Sequence, residues 1–272
     1  MTKPLAMPGR SVGIQIRDWR KRRRLSQLDF ALDAEISQRH LSFIESGRAI
    51  PSRDMVLRLA DHLGVPLRER NAMVLAAGYA PVFPERPLDD PDLAPARQAI
   101  DMILKGHEPY PALAVDRLWR LVSANAAVTR LLGLVADPTL LEPPVNVLRL
   151  SLAPGGLAPH ILNLGTWRLH ILDRLRAQVD LTGDAALAAL RQELAALPAA
   201  GDPGTDPGET RYGDVAVPLR LRTPLGDLAL ITTTTVFGTP VDVTLSELAV
   251  ERCFPTDVAR ARALRAMADG SV

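Results

Sequence analysis

Five histidines, His40, His62, His107, His160 and His170, are the side chains best suited to metal chemistry, and no two of them stand at the i,i+4 spacing of a helical metal pair. Cys253 is the only cysteine, so no thiolate pair and no internal disulfide can form, which fits a reducing compartment. The chain carries no G-x-S-x-G elbow, no Walker loop and no G-x-G-x-x-G turn. A catalytic domain is therefore the weakest reading, and no metal site and no cofactor is expected. The chemistry that the residues do support is recognition. Gln38, Arg39, Ser42, Phe43 and Ser46 fall at i, i+1, i+4, i+5 and i+8, one polar stripe of a helix whose other face carries Leu41 and Ile44. An amide pairs bidentately with adenine and a guanidinium with guanine, so a helix led by Gln38 and Arg39 suits base edges. Ser37, His40 and Arg48 stand beside the stripe and are counted with it.

The elements that must position that stripe are short and well punctuated. The pattern predicts a first helix over about Val12–Arg24 behind Ser11, a second over Gln27–Ala34 behind Ser26, and a third over Gln38–Ser46 behind Ser37 and stopped by Gly47. A fourth runs from Ser52 to Leu63 before Gly64, and a fifth opens at Pro66 and ends before Gly78. Serine before a helix and glycine after it satisfy or relax the orphan backbone groups of helix ends. Helix two is expected to pack on helix three through Leu28 and Ala31. Prolines among acidic residues then make 81–95 a semi-rigid linker.

Beyond it, a helix is expected over Ala96–Lys105, followed in "PALAVDRLWRLVSANAAVTRLLG" by a strand, a turn near Asp116-Arg117, a second strand and a helix entered at Asn125. Residues 160–197 read as two helices broken near Thr182-Gly183, and 198–208 as a flexible loop. Alternation at Val217, Leu219 and Leu221, then Leu228, Leu230 and Thr232, then Val241, Val243 and Leu245 predicts a three-strand antiparallel meander. A terminal helix over Thr256–Met267 closes the chain. The fold class is multidomain: an all-α five-helix domain (10–80), the linker, and an α+β domain with an antiparallel sheet (96–272).

Charge divides the same way. Residues 1–80 hold 14 Lys and Arg against 8 Asp and Glu, an excess of +6, and the remainder holds 18 against 23, or −5. A basic N-terminal domain suits a polyanion. The run Arg20–Arg24 would be an ordinary solvated face alone, and beside a helix-turn-helix it reads as a source of phosphate contacts. No apolar run opens the chain and none is long enough to span a membrane, so a cytoplasmic protein is expected.

"LSQLDFALDAEISQRHLSFIESGRAIPSRDMVLRLADHLGV" resembles the lambda-repressor-like, or xenobiotic-response-element, helix-turn-helix family over about residues 11–78. The likeness lies in Ser26-Gln27, Ala31, Ile36-Ser37, Ile44-Glu45, Gly47, Pro51-Ser52, Leu59-Ala60 and Leu63-Gly64-Val65. The resemblance implies that Gln27 meets a backbone phosphate, that Arg20 and Glu45 form a structural salt bridge, and that Gln38, Arg39 and Phe43 approach bases. Glu35 stands where that family has glycine, and a side chain in the left-handed region costs ~1 kcal/mol. The alternative is a five-helix domain used for protein contacts, against which stand the polar face of helix three and the local positive charge.

The second domain resembles a PAS-like sensor fold, and its order of parts is similar to the MmyB-like ligand-binding domain of bacterial regulators, through "PALAVDRLWRLVSANAAVTRLLG", "NVLRLSL" and "TPLGDLALITTTTVFGTPVDVTLSELAVERCFP". The resemblance implies a receptor for a fatty-acid or other small apolar, acyl-type effector. Ile161, Leu164, Trp167, Leu169, Ile171 and Leu172 would line an apolar cleft, with Arg168 or His170 meeting a carboxylate, and equally they would serve as ordinary core and solvated face. Asn125 reads first as a helix cap and second as a ligand contact. The expected partners are double-stranded DNA with an inverted-repeat operator, a second copy of the chain, and a small apolar ligand, and no membrane. The alternative is a C-terminal domain that serves only for dimerisation or protein contacts.

Overall fold

A computed structural model describes residues 11–198, 216–224 and 226–268. The described residues divide into two compact units, one of 11–86 with 180–182 and 239–246, the other of the rest. The expected loop at 198–208 lies, but for Pro198, outside the described residues.

Five helices build the first unit: α1 (Val12–Arg22), α2 (Gln27–Asp33), α3 (Gln38–Glu45), α4 (Arg53–His62) and α5 (Leu67–Ala76). The hydroxyls of Ser26, Ser37 and Ser52 accept from Asp29 N (3.1 Å), His40 N (3.1 Å) and Met55 N (3.3 Å), so three of the helices start on a satisfied cap. Ile16, Phe30, Leu41, Ile44, Leu59, Leu63 and Met73 are fully buried and form one core. Leu28 is 51 % exposed and does not pack α2 on α3, contrary to the sequence reading. The buried face of α2 is Phe30 and Ala31 with Ala34 behind, one turn apart, and Leu28 lies off it. At Gly13 of α1 an added Cβ would stand 2.1 Å from the Ile44 carbonyl oxygen, so glycine is what lets α1 cross the end of α3. Beyond α5, the Asn71 amide accepts from Val82 N and Phe83 N (3.0 Å each) and donates to Phe83 O (2.7 Å), which ties down the start of the proline-rich stretch.

The second unit is a five-stranded antiparallel sheet with helices. In chain order its elements are α6 (Ala94–Gly106), β1 (Ala112–Val115), β2 (Leu121–Ala124), α7 (Ala126–Leu132), α8 (Val147–Leu152), α9 (Leu164–Thr182), α10 (Ala185–Ala196), β3 (Leu219–Thr223) and β4 (Gly226–Val236). The single helical turn α11 (Val243–Ser246) belongs to the first unit, and β5 (Ala249–Pro255) and α12 (Val258–Ala268) complete the second. Gly183, in the left-handed region at φ 69°, ends α9.

The sheet order is β2-β1-β5-β4-β3. Two hairpins are joined because β5 inserts between β1 and β4, with Leu113 and Thr234 both opposite Glu251, and Thr232 opposite Cys253. This corrects the expected meander, whose third strand was placed at Val241–Leu245. Its Val243–Leu245 lie instead in α11, entered at Asp242, whose carboxylate accepts from Thr244 N (2.8 Å) and starts a helical turn. The third strand is Ala249–Pro255 instead.

Asn125 is buried where α6, β1 and α7 meet. Its amide nitrogen donates to Tyr110 O (2.8 Å) and Leu104 O (3.2 Å), and its oxygen accepts from Ala112 N (3.1 Å) and Val128 N (3.2 Å). Four backbone bonds from one side chain make it a structural residue that both caps α7 and anchors β1.

Candidate functional site

Two surfaces have site-like geometry, one in each unit. In the first, Ser37, Gln38, Arg39, His40 and Arg48 are exposed, and Ser42 and Phe43 are half-buried beside them. Two guanidinium groups lie over the Phe43 ring, Arg39 5.4 Å and Arg48 4.6 Å from its centre. Arg48 Nε also donates to Ser46 Oγ (2.9 Å), which itself donates to Ser42 O (2.7 Å). The aromatic ring lies against both arginines on the open face of α3, and the serine restrains Arg48 as well.

The base of this face is fixed by a buried ion pair. Arg20 donates to Glu45 through Nε (2.6 Å) and Nη2 (2.9 Å), and its Nη1 donates to Leu25 O (2.8 Å). Gln27 Nε2 donates to Glu45 Oε2 (2.8 Å), so the side chain expected at a phosphate is joined to the same carboxylate and held at the start of α2. The basic run is not one uniform surface. Arg20 is buried, and Arg23 donates to Leu63 O (2.8 Å) and Gly64 O (3.0 Å) at the end of α4, while Lys21, Arg22 and Arg24 are exposed. Glu35 adopts φ 53°, the left-handed conformation anticipated for it, between α2 and α3.

In the second unit a cavity of about 380 Å³ lies between one face of the sheet and α9. Strand period two brings Leu113, Glu251 and Cys253 to that face, with Leu230, Thr232 and Thr234 from β4. Helical spacing brings Trp167, His170, Ile171 and Arg174 of α9 to the opposite wall. Of the residues singled out from sequence, Trp167, His170 and Ile171 line the cavity. Leu164 packs into the core clusters. Arg168 does not line it: its guanidinium donates to Leu197 O (2.7 Å) and Ala195 O (2.6 Å), closing the carbonyl end of α10. Leu169 is 58 % exposed and is not a wall residue.

The polar corner was missed from sequence. Arg174 Nη2 donates to Glu251 Oε1 (2.7 Å) and Thr234 Oγ1 (2.8 Å), and Nη1 donates to Glu251 Oε2 (3.3 Å). The Arg174 guanidinium lies 4.4 Å from the Trp119 ring centre. Arg174 follows His170 by one helical turn, and this was the available signal. Glu251 is hidden in the sequence because its strand, Ala249–Pro255, lies beyond the expected third strand. Burial, and then the Arg174 charge, hold the His170 imidazole below its ordinary range, so at neutral pH it is uncharged. Burial pushes the Cys253 thiol up to about 11, which leaves it protonated and a poor nucleophile.

The model of the MmyB-like transcription regulator ligand binding domain matches residues 96–267, and a helix-turn-helix model matches residues 16–70. No curated protein matches the chain. Among solved structures, "Structure of an RNA-binding Light-Oxygen-Voltage Receptor" aligns at 16 % identity and a TM-score of 0.25, over 96 % of this chain and 64 % of that one. No helix among the described residues is long and apolar enough to cross a membrane.

Proposed function

The chain belongs to the family of MmyB-like transcription regulators and is a DNA-binding transcription regulator; on that premise we propose that it works in the cytoplasm as a homodimer on an inverted-repeat operator, under the control of a small apolar, acyl-type effector. Both matched domains are typical of transcription regulators rather than enzymes. In this reading Gln38, Arg39 and Phe43 face bases, while Gln27, Ser37, His40, Ser42 and Arg48 contact the backbone or flank the bases. A single recognition helix covers few base pairs, and a two-fold pair with half-sites one turn apart supplies the missing selectivity.

The observation that carries the effector is the cavity. It falls within the ~300–1,000 Å³ range of ligand pockets, and apolar side chains make most of its walls, with Ser151, His170 and Thr232 beside a charged corner of Arg174 and Glu251. Extraction and mass spectrometry of the purified full chain tests the reading. A co-purifying compound with an apolar chain is expected, and its release should change operator affinity. A chain that purifies empty and takes up no apolar probe would reduce the domain to a dimerisation or protein-interaction scaffold. Sedimentation with and without operator tests the dimer separately, and a monomer in both would remove it.

A further inference from the structure

We infer that the cavity selects an acyl compound with an uncharged head that both donates and accepts hydrogen bonds, an amide or an alcohol, over a free carboxylate, with the head against Arg174, Glu251 and Thr234. The inference rests on the effector reading above and specifies the ligand of that same cavity. Arg174 and Glu251 are the two charged side chains among the described residues that line it, and they face each other. Three of the five guanidinium hydrogens are already directed, two to Glu251 and one to Thr234, and Thr234 Oγ1 donates in turn to Glu251 Oε1 (2.8 Å).

A ligand carboxylate entering this corner would find the cation already paired. It would also lie beside the Glu251 carboxylate, whose side chain is only 6 % exposed. Like charges at that range repel, and although Thr234 is exposed at the rim of this corner, the Glu251 carboxylate itself is withdrawn from screening water. The two other cations offered by the sequence do not help, because Arg168 closes α10 and the His170 imidazole is neutral. What the corner does present is matched. Among the described residues, Arg174 has donor hydrogens beyond its three bonds, and Glu251 Oε2 receives only the longer of the two ion-pair bonds. An amide or hydroxyl head answers both without bringing charge, while the chain covers Leu113, Leu230 and Ile171.

Calorimetric titration of the full chain with laurate, lauramide and dodecanol at neutral pH tests this, since the three share a chain and differ at the head. The amide and the alcohol are expected to bind about tenfold or more tighter than laurate. Glu251→Gln removes the repulsion, so the ratio of laurate to dodecanol affinity should rise about tenfold. Laurate binding as tightly as the other two in the unaltered chain would overturn the head-group assignment and leave the effector reading standing. An unchanged ratio in folded Glu251→Gln would do the same. If none of the three binds, both readings fall.

Discussion

Arg39 and Arg48 lie against Phe43 on the open face of α3, and in the proposed reading they present their guanidinium groups to DNA from that ring. Arg39→Ala is expected to lower specific operator affinity by ~1–3 kcal/mol and to relax base preference, measured by competition at fixed salt. Unchanged discrimination would remove α3 as the reading helix. The Arg20–Glu45 pair behaves differently, because it is buried. Glu45→Ala leaves a guanidinium without its carboxylate and should destabilise the first unit by ~3–5 kcal/mol in urea denaturation. His170 makes a third residue-level test. Its folded pKa lies below the unfolded value of ~6.5, so the unfolded chain binds more protons in acid, and stability is full above that value and declines as pH falls through it. His170→Gln should flatten that decline between about pH 7 and pH 5, and identical pH profiles would contradict the burial of a neutral imidazole.

At the scale of elements, two backbone positions have opposite expectations. Gly13→Ala puts a methyl 2.1 Å from a backbone carbonyl that cannot step aside, so it should cost ~1–3 kcal/mol by forcing α1 off α3. Glu35→Gly relieves a left-handed side-chain residue and should gain up to ~1 kcal/mol, with operator binding retained. Thermal denaturation of both variants checks the signs. The five N-terminal helices were legible in the sequence because Ser26, Ser37 and Ser52, with the glycines behind the helices, are local signals. The break at Gly183 and the cap at Asn125 were legible for the same reason. The strand order was not, since pairing between β1 and β5 joins residues more than a hundred positions apart, and alternation at Val241–Leu245 mimicked a strand that Asp242 turns into a helix. The misplaced strand concealed Glu251, and with it the partner of Arg174. Arg168 misled for a simpler cause: a cation near an apolar stripe looks free in sequence until the carbonyls of Ala195 and Leu197 are seen to hold it.

For the molecule as a whole, a ligand in the second unit can alter DNA binding only by favouring DNA-competent or DNA-incompetent arrangements unequally. A coupling of ~1–3 kcal/mol corresponds to a ~5- to 150-fold change in operator affinity, and linkage makes the effect mutual. The most direct measurement is calorimetric titration of the full chain with the tightest binder of laurate, lauramide and dodecanol, alone and saturated with an operator selected from randomised duplexes. The account predicts that operator shifts ligand affinity by the same factor by which ligand shifts operator affinity, and that this factor is about fivefold or more. Equal ligand affinities with and without operator would contradict it.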